Sequence, residues 1–128
     1  MNAREYYLSI QAVIHAAPHV SRSEVRFDEI DINECYIRGT IYLLGDLELH
    51  VAEYVVTEPD IQRLKYRYHL QTAEDKKLVS RWDNVPHHPQ IRTFPHHRHD
   101  QSDEVHPSSP MDITKLLDAV LAFIPSEV

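Results

Sequence analysis

Glycine, cysteine and long apolar runs are scarce in this sequence, and each scarcity excludes a class of protein. The 128 residues include two glycines, Gly39 and Gly45, which excludes a glycine-rich phosphate loop and a dinucleotide-binding fingerprint. The single cysteine, Cys35, cannot form a disulfide within the chain, which fits a reducing compartment. No stretch approaches the roughly 20 apolar residues that span a bilayer, and the first residues lack a signal-peptide pattern. We therefore expect one cytoplasmic domain, residues 1–128, without a membrane partner.

Both ends of the chain have the apolar periodicity of amphipathic helices. The first helix is predicted over residues 2–17, with Asn2 as its cap and Glu5 as the capping-box partner. For the second helix we predict Ser109 as the cap and Pro110 at the first helical position, where proline is favoured.

About five strands are predicted between the helices, over residues 25–32, 36–44, 47–56, 63–71 and 78–83. Short turns join most of them, which indicates an antiparallel meander. Both terminal helices are expected to cover one face of this sheet, giving an α+β fold. Residues 84–110 contain five of the eight prolines, and because proline fixes φ and lacks an N–H, this segment is predicted to be irregular.

The Gly45-Asp46 dipeptide predicts a two-residue hairpin turn, because glycine readily adopts positive φ. A turn of that length would place Arg38 opposite Glu53 on the neighbouring strand. The sequence therefore predicts a structural cross-strand ion pair between these two residues.

Positive charge and histidine are concentrated in one stretch of an otherwise acidic chain. Residues 62–99 contain eight Lys/Arg and three acids, whereas the formal net charge of the whole chain is −7. Six of the ten histidines lie within residues 66–99. Such a local basic, histidine-rich segment is the main clue to function.

The segment Arg81-Trp82-Asp83-Asn84 ends a predicted strand and allows two interpretations. Asp83 and Asn84 can cap the turn while Trp82 fills the core. Alternatively, Arg81 presents a guanidinium fork to phosphate, and Asp83 orients a histidine as in acid–base sites.

The histidines of residues 87–99 also allow two interpretations. They can hydrogen-bond to backbone carbonyls in a rigid loop, or act as general acids and bases near neutral pH. Neighbouring histidines on an extended chain point to opposite sides, and the sequence has no cysteine pair or HExxH helix, so we expect no metal and no cofactor. The candidate catalytic residues of the chain are His69, Arg81, Asp83, His87, His88, His96, His97 and His99.

One face of the predicted strand over residues 63–71 carries Arg67 and His69, and the other carries tyrosine and leucine. This basic face can be simply solvated, or it can line a nucleic-acid groove with aromatic side chains for stacking. The net negative charge of the chain argues against tight, indiscriminate nucleic-acid binding. The candidate phosphate or nucleic-acid contacts are Arg67, Arg81, Trp82 and Arg98.

Several motifs between residue 36 and the final helix carry a family resemblance. They are Tyr36-Ile37-Arg38-Gly39, Leu49-x-Val51-x-Glu53-Tyr54, Tyr66-x-Tyr68-His69, Arg81-Trp82-Asp83-Asn84 with His87-His88-Pro89, and Phe94-Pro95-His96-His97-Arg98-His99. With these motifs the chain resembles the TumE-type toxins of prokaryotic toxin–antitoxin pairs, although Trp82 stands where tyrosine is more usual. The resemblance implies a toxic role and an antitoxin protein as partner.

Two hypotheses of function follow. In the first, the chain is a toxin that acts on RNA without metal, with loop histidines as general base and acid and with Arg67 and Arg81 stabilising phosphorane charge. This hypothesis requires the loop to pack against the strands that carry His69 and Arg81. In the second, the chain is a non-catalytic interaction module whose basic patch binds a protein partner. The sequence leaves the oligomeric state open.

Overall fold

A helix, an antiparallel sheet and a second helix follow one another in the computed structural model, which describes residues 1–126. The first helix is α1 (Ala3–Ala16), and the second is α2 (Ile113–Ala119), which continues into a short 3-10 helix (Val120–Phe123). The seven strands pair in chain order: β1 (Val20–Asp31), β2 (Glu34–Leu43), β3 (Leu47–Val56), β4 (Gln62–Thr72), β5 (Leu78–Asp83), β6 (His97–His99) and β7 (Val105–Pro107).

The sheet has two strands more than the five predicted. The extra strands, β6 and β7, are three residues each and lie within the proline-rich segment that was predicted to be irregular. Pro95 lies outside β6, and Pro107 is the last residue of β7, so neither proline interrupts the interior of a strand. Strands this short show no clear alternation in the sequence, which is why the prediction missed them.

The capping of the first helix is confirmed, and that of the second is corrected. The Asn2 side chain accepts a hydrogen bond from the Glu5 amide, and the Glu5 carboxylate accepts one from the Asn2 amide, both at 2.9 Å. The second helix begins three residues later than predicted, because Asp112 rather than Ser109 caps it. The Asp112 carboxylate accepts from the Lys115 amide at 2.8 Å.

The hairpin between β2 and β3 has a different register from the predicted one. Leu43 pairs with Leu47, so three residues rather than two form the turn. The added residue is Leu44, whose amide donates to the His19 carbonyl instead of to β3. A shift of one residue moves side chains to the opposite face of a strand.

The predicted Arg38–Glu53 pair is therefore wrong. Arg38 pairs with Ala52, whereas Glu53 pairs with Ile37 and points into the core. Arg38 is exposed, and its Nε lies 4.0 Å from Asp28 Oδ2.

Glu53 is 1% exposed and is satisfied by hydroxyl groups rather than by Arg38. The Tyr6 hydroxyl donates to it at 2.5 Å, and the Tyr68 hydroxyl donates to its other oxygen. Arg63 Nε lies 3.9 Å from Glu53 Oε2. Removal from water raises the pKa of Glu53, because burial penalises the charged carboxylate.

Both helices pack on one face of the sheet, as predicted. Tyr6, Ile10 and Ile14 of α1 and Leu116 of α2 are buried in the same core as the inward-facing strand residues. The opposite face has no helix over it in the part of the chain described, and we call it the open face. No helix within residues 1–126 is both long and apolar enough to cross a membrane.

At Gly39 the backbone of β1 leaves no room for a side chain on β2. A Cβ atom there would lie 2.1 Å from the Glu24 carbonyl oxygen and 2.6 Å from the Val25 Cα, both backbone atoms of β1. No rotamer change can relieve a clash with backbone.

We expect Gly39→Ala to lower the free energy of unfolding by at least about 2 kcal/mol, because the added methyl group forces the two strands apart. Urea unfolding followed by circular dichroism measures this change. The matched control is Arg38→Ala at the neighbouring exposed position, which should change stability by no more than about 0.5 kcal/mol. Equal stability of the two variants would contradict the close approach.

Candidate functional site

Two cross-strand rows of side chains occupy the open face. In each row the residues are directly opposite one another on neighbouring strands, so the pleat directs all of them to the same face. The first row runs from β3 to β6 as His50, His69, Arg81 and His99. The second row runs over the same strands as Ala52, Arg67, Asp83 and His97.

The Asp83 carboxylate lies at the centre of these rows and is 4% exposed. Its Oδ1 accepts from the Val85 amide at 2.9 Å and lies 3.0 Å from His97 Nε2. Its Oδ2 lies 3.4 Å from Arg81 Nε and 3.9 Å from His99 Nε2. The predicted turn contact of Asp83 is confirmed by the Val85 amide, and the same carboxylate lies against His97.

The ring of His97 contacts an acceptor at each nitrogen. Nδ1 donates to the Pro95 carbonyl oxygen at 2.9 Å, and Nε2 faces the Asp83 carboxylate. These two contacts fix the orientation of the ring, with Nε2 3.0 Å from Asp83 Oδ1.

His99 is held by a second carboxylate. Its Nδ1 lies 2.9 Å from Asp103 Oδ1 and donates to it, which leaves Nε2 as a lone-pair nitrogen directed toward Asp83. Burial lowers the pKa of His99, and the nearby guanidinium of Arg81 lowers it further.

The loop after β5 adds His87 and His88 to the open face. The ring of His88 packs edge-to-face on the rings of His97 and His99, with centroid distances of 4.9 and 5.7 Å. His87 is exposed and lines the same cavity, of about 360 Å³, as Arg67 and His88. The loop thus packs against the strands that carry Arg67 and Arg81.

A second cavity of about 360 Å³ adjoins the first at Arg67 and is also lined by His50, His69 and Gln71. His69 Nδ1 is buried and has no hydrogen-bond partner within residues 1–126. Burial lowers the pKa of His69, and Arg67 and Arg81 lower it further. His69 is therefore a neutral imidazole between two guanidinium groups at neutral pH.

Three predicted site residues lie on the helix-covered side of the sheet instead. The His96 ring stacks on Tyr66, with Nδ1 2.8 Å from the tyrosine hydroxyl. Trp82 is 4% exposed and packs edge-to-face on Phe123, so the core interpretation of Trp82 is confirmed. Arg98 donates to the Ser80 hydroxyl at 3.1 Å. These three residues alternate with the open-face residues, which explains their separation from the cavity.

Sequence reasoning missed His50 and Asp103. His50 lies between Leu49 and Val51, which are both buried, so strict alternation could have placed it on the open face. Nothing in the local sequence marks Asp103 as a partner of His99.

Within residues 1–126, two groups of side chains could hold a metal ion. His88, His97 and His99 each offer one nitrogen, and these nitrogens lie within 4.8 Å of one another. Asp100, Glu104 and His106 form the second group, which is more exposed.

Comparison with known proteins adds a family to this geometry. The family model described as "Toxin TumE" matches residues 10–128, which is nearly the whole chain and more than the region that carries the motifs. No curated protein and no solved structure matches the chain.

The buried contact between Asp83 and His97 should be strongly coupled. We expect Asp83→Asn and His97→Gln each to lower the free energy of unfolding by about 3 kcal/mol, because each leaves a buried partner unmatched. The double variant should show a coupling energy of about 1–3 kcal/mol. Urea unfolding of the four proteins measures it.

The more exposed pair His106–Asp100, with Nε2 2.7 Å from Oδ2, is the matched control. The same cycle on that pair should give a much smaller coupling, because water screens the charges. Equal coupling in the two pairs would contradict the role assigned to burial.

Proposed function

The chain belongs to the TumE toxin family, and from this premise we propose that its toxic action is RNA cleavage at the open face. The observation that carries the proposal is the position of Arg67, which lines both cavities and has a histidine on either side. His69 lies in one cavity and His87 in the other. This is an arrangement in which a phosphate on Arg67 meets a base on one side and an acid on the other.

Positive charge at the shared edge of the cavities supports phosphate binding. Arg67 and Lys65 are exposed, and both line the cavity that His87 and His88 also line. Arg81 lines it too, although its charge is partly matched by Asp83 at 3.4 Å. Preorganised guanidinium groups stabilise the charge that develops on a phosphorane.

His69 is our choice for the general base. Its lowered pKa keeps the ring neutral at neutral pH, and the ring lines the cavity beside Arg67. In the proposed reaction His69 takes the proton of an RNA 2′-hydroxyl, and that oxygen attacks the adjacent phosphorus. The bond from phosphorus to the 5′ oxygen breaks, and a protonated His87 supplies the proton to the leaving oxygen. No water or other reactant is consumed in this step.

Membership of a toxin family implies an antitoxin partner. The basic open face offers a surface complementary to an acidic protein, and this supports the alternative of a non-catalytic interaction module. Cleavage and binding differ in their need for His69, which an acid–base reaction requires and charge complementarity does not.

We expect His69→Gln to lower the rate of RNA cleavage about 100-fold or more, because general-base catalysis contributes that much. The same variant should relieve growth arrest when it is expressed without antitoxin. His15→Gln on α1, remote from the open face, is the matched control and should leave both readouts unchanged. In the wild type the rate should increase as the pH rises through the lowered pKa of His69, since the base acts when deprotonated. At higher pH the rate should fall again, because the general acid acts when protonated, so the pH profile should be bell-shaped.

Purified protein that leaves RNA intact from about pH 5 to about pH 9, the range around histidine titration, would contradict the proposal, provided that circular dichroism shows a folded chain. Continued toxicity of His69→Gln under those conditions would support the interaction module instead.

A further inference from the structure

Three imidazoles form a closed group beside the reaction site proposed above. His88, His97 and His99 pack edge-to-face in pairs, and the centroids of His97 and His99 are 5.0 Å apart. His97 and His99 are buried, and His88 faces the cavity. A role in acid–base chemistry would not require three imidazoles to converge in this way.

The hydrogen bonds of the two buried rings fix which nitrogen points inward. The Pro95 carbonyl accepts from Nδ1 of His97, and the Asp103 carboxylate accepts from Nδ1 of His99, both at 2.9 Å. Nε2 of each ring is then directed toward Asp83. A backbone carbonyl or a carboxylate on the outer nitrogen is the arrangement that orients metal-binding histidines.

The Asp83 carboxylate lies beside two of the three imidazoles, His97 and His99. Its oxygens are 3.0 Å from His97 Nε2 and 3.9 Å from His99 Nε2. Ligand atoms around a tetrahedral ion with bonds of about 2.0–2.1 Å lie roughly 3.4 Å apart. The separations from His97 and His99 bracket that distance, and Asp83 would complete the coordination after its side chain moves toward His88.

We propose that His88, His97, His99 and Asp83 bind one divalent transition-metal ion of the zinc class. Three imidazoles favour zinc, nickel or copper over magnesium or calcium, which prefer oxygen ligands. The ion faces the cavity that Arg67 and Arg81 line, so a phosphate bound there would lie near two kinds of positive charge.

Spacing along the chain predicted no metal site, and the fold explains the difference. His96 and His97 do point to opposite sides, as predicted for neighbouring residues of an extended chain. His97 and His99, two residues apart, share a face, while His88 comes from a loop and Asp83 from the adjacent strand. These four groups have no spacing in common that a zinc motif would reveal.

Zinc binding to the full chain tests this site directly. The protein is stripped with a chelator, dialysed and titrated with Zn²⁺ in competition with a chromophoric chelator. We expect one Zn²⁺ per chain, and Co²⁺ in its place should give the visible absorption of a tetrahedral site. His88→Gln should weaken binding by more than about tenfold, and Asp103→Asn, which changes only an outer contact, by about tenfold.

His87→Gln is the matched control, because it removes the adjacent imidazole of the same loop and should leave Zn²⁺ affinity unchanged. Unchanged affinity in both His88→Gln and Asp103→Asn would overturn the proposal. A loss of binding confined to His106→Gln would overturn it as well, by assigning the ion to the group of Asp100, Glu104 and His106. Circular dichroism confirms that each variant is folded.

Zinc binding is measured independently of RNA cleavage, since the titration contains no RNA. Zinc binding without RNA cleavage would leave this site standing and remove the proposed reaction. Cleavage by a protein that binds no zinc would do the reverse.

Discussion

The buried carboxylate of Asp83 is the group on which the open-face site depends. A charge taken out of water is stable only when donors or opposite charges surround it. Arg81 supplies one charge from the same strand, the His97 ring contacts the carboxylate from β6, and the Val85 amide donates a hydrogen bond from the loop. The contacts of Asp83 with His97 and with the Val85 amide therefore help to fix strand β6 and the histidine loop against β5.

The sheet separates two buried acids by the alternation of its strands. Glu53 faces the helices and is satisfied by the hydroxyls of Tyr6 and Tyr68, in surroundings that raise its pKa. Asp83 faces the other way and is matched by Arg81 and imidazole. The first environment suits a structural core, and the second concentrates the charged groups of the chain in one cavity. A mainly acidic chain of the TumE toxin family therefore carries a local group of basic and imidazole side chains on its open face.

Local patterns were sufficient wherever a structural feature depends on neighbours in the chain. The capping box of Asn2 and Glu5 is such a feature, and so are the bounds of β5, which match the predicted residues 78–83. Alternation also placed Arg67 and His69 on one face and the tyrosines of β4 on the other. In each case the interacting groups are within a few residues of one another, so composition and spacing contain the information.

Cross-strand register and loop packing were decided by the tertiary structure. Leu44 bonds to the chain before β1 instead of pairing with β3, and this one residue turned Glu53 from a surface partner of Arg38 into a core acid. The contacts of His97 and His99 with Asp83, and the packing of His88 on both rings, depend likewise on segments that are distant in the chain. Because a strand's side chains alternate faces, a register set by distant contacts decides which side chains meet, and local spacing cannot.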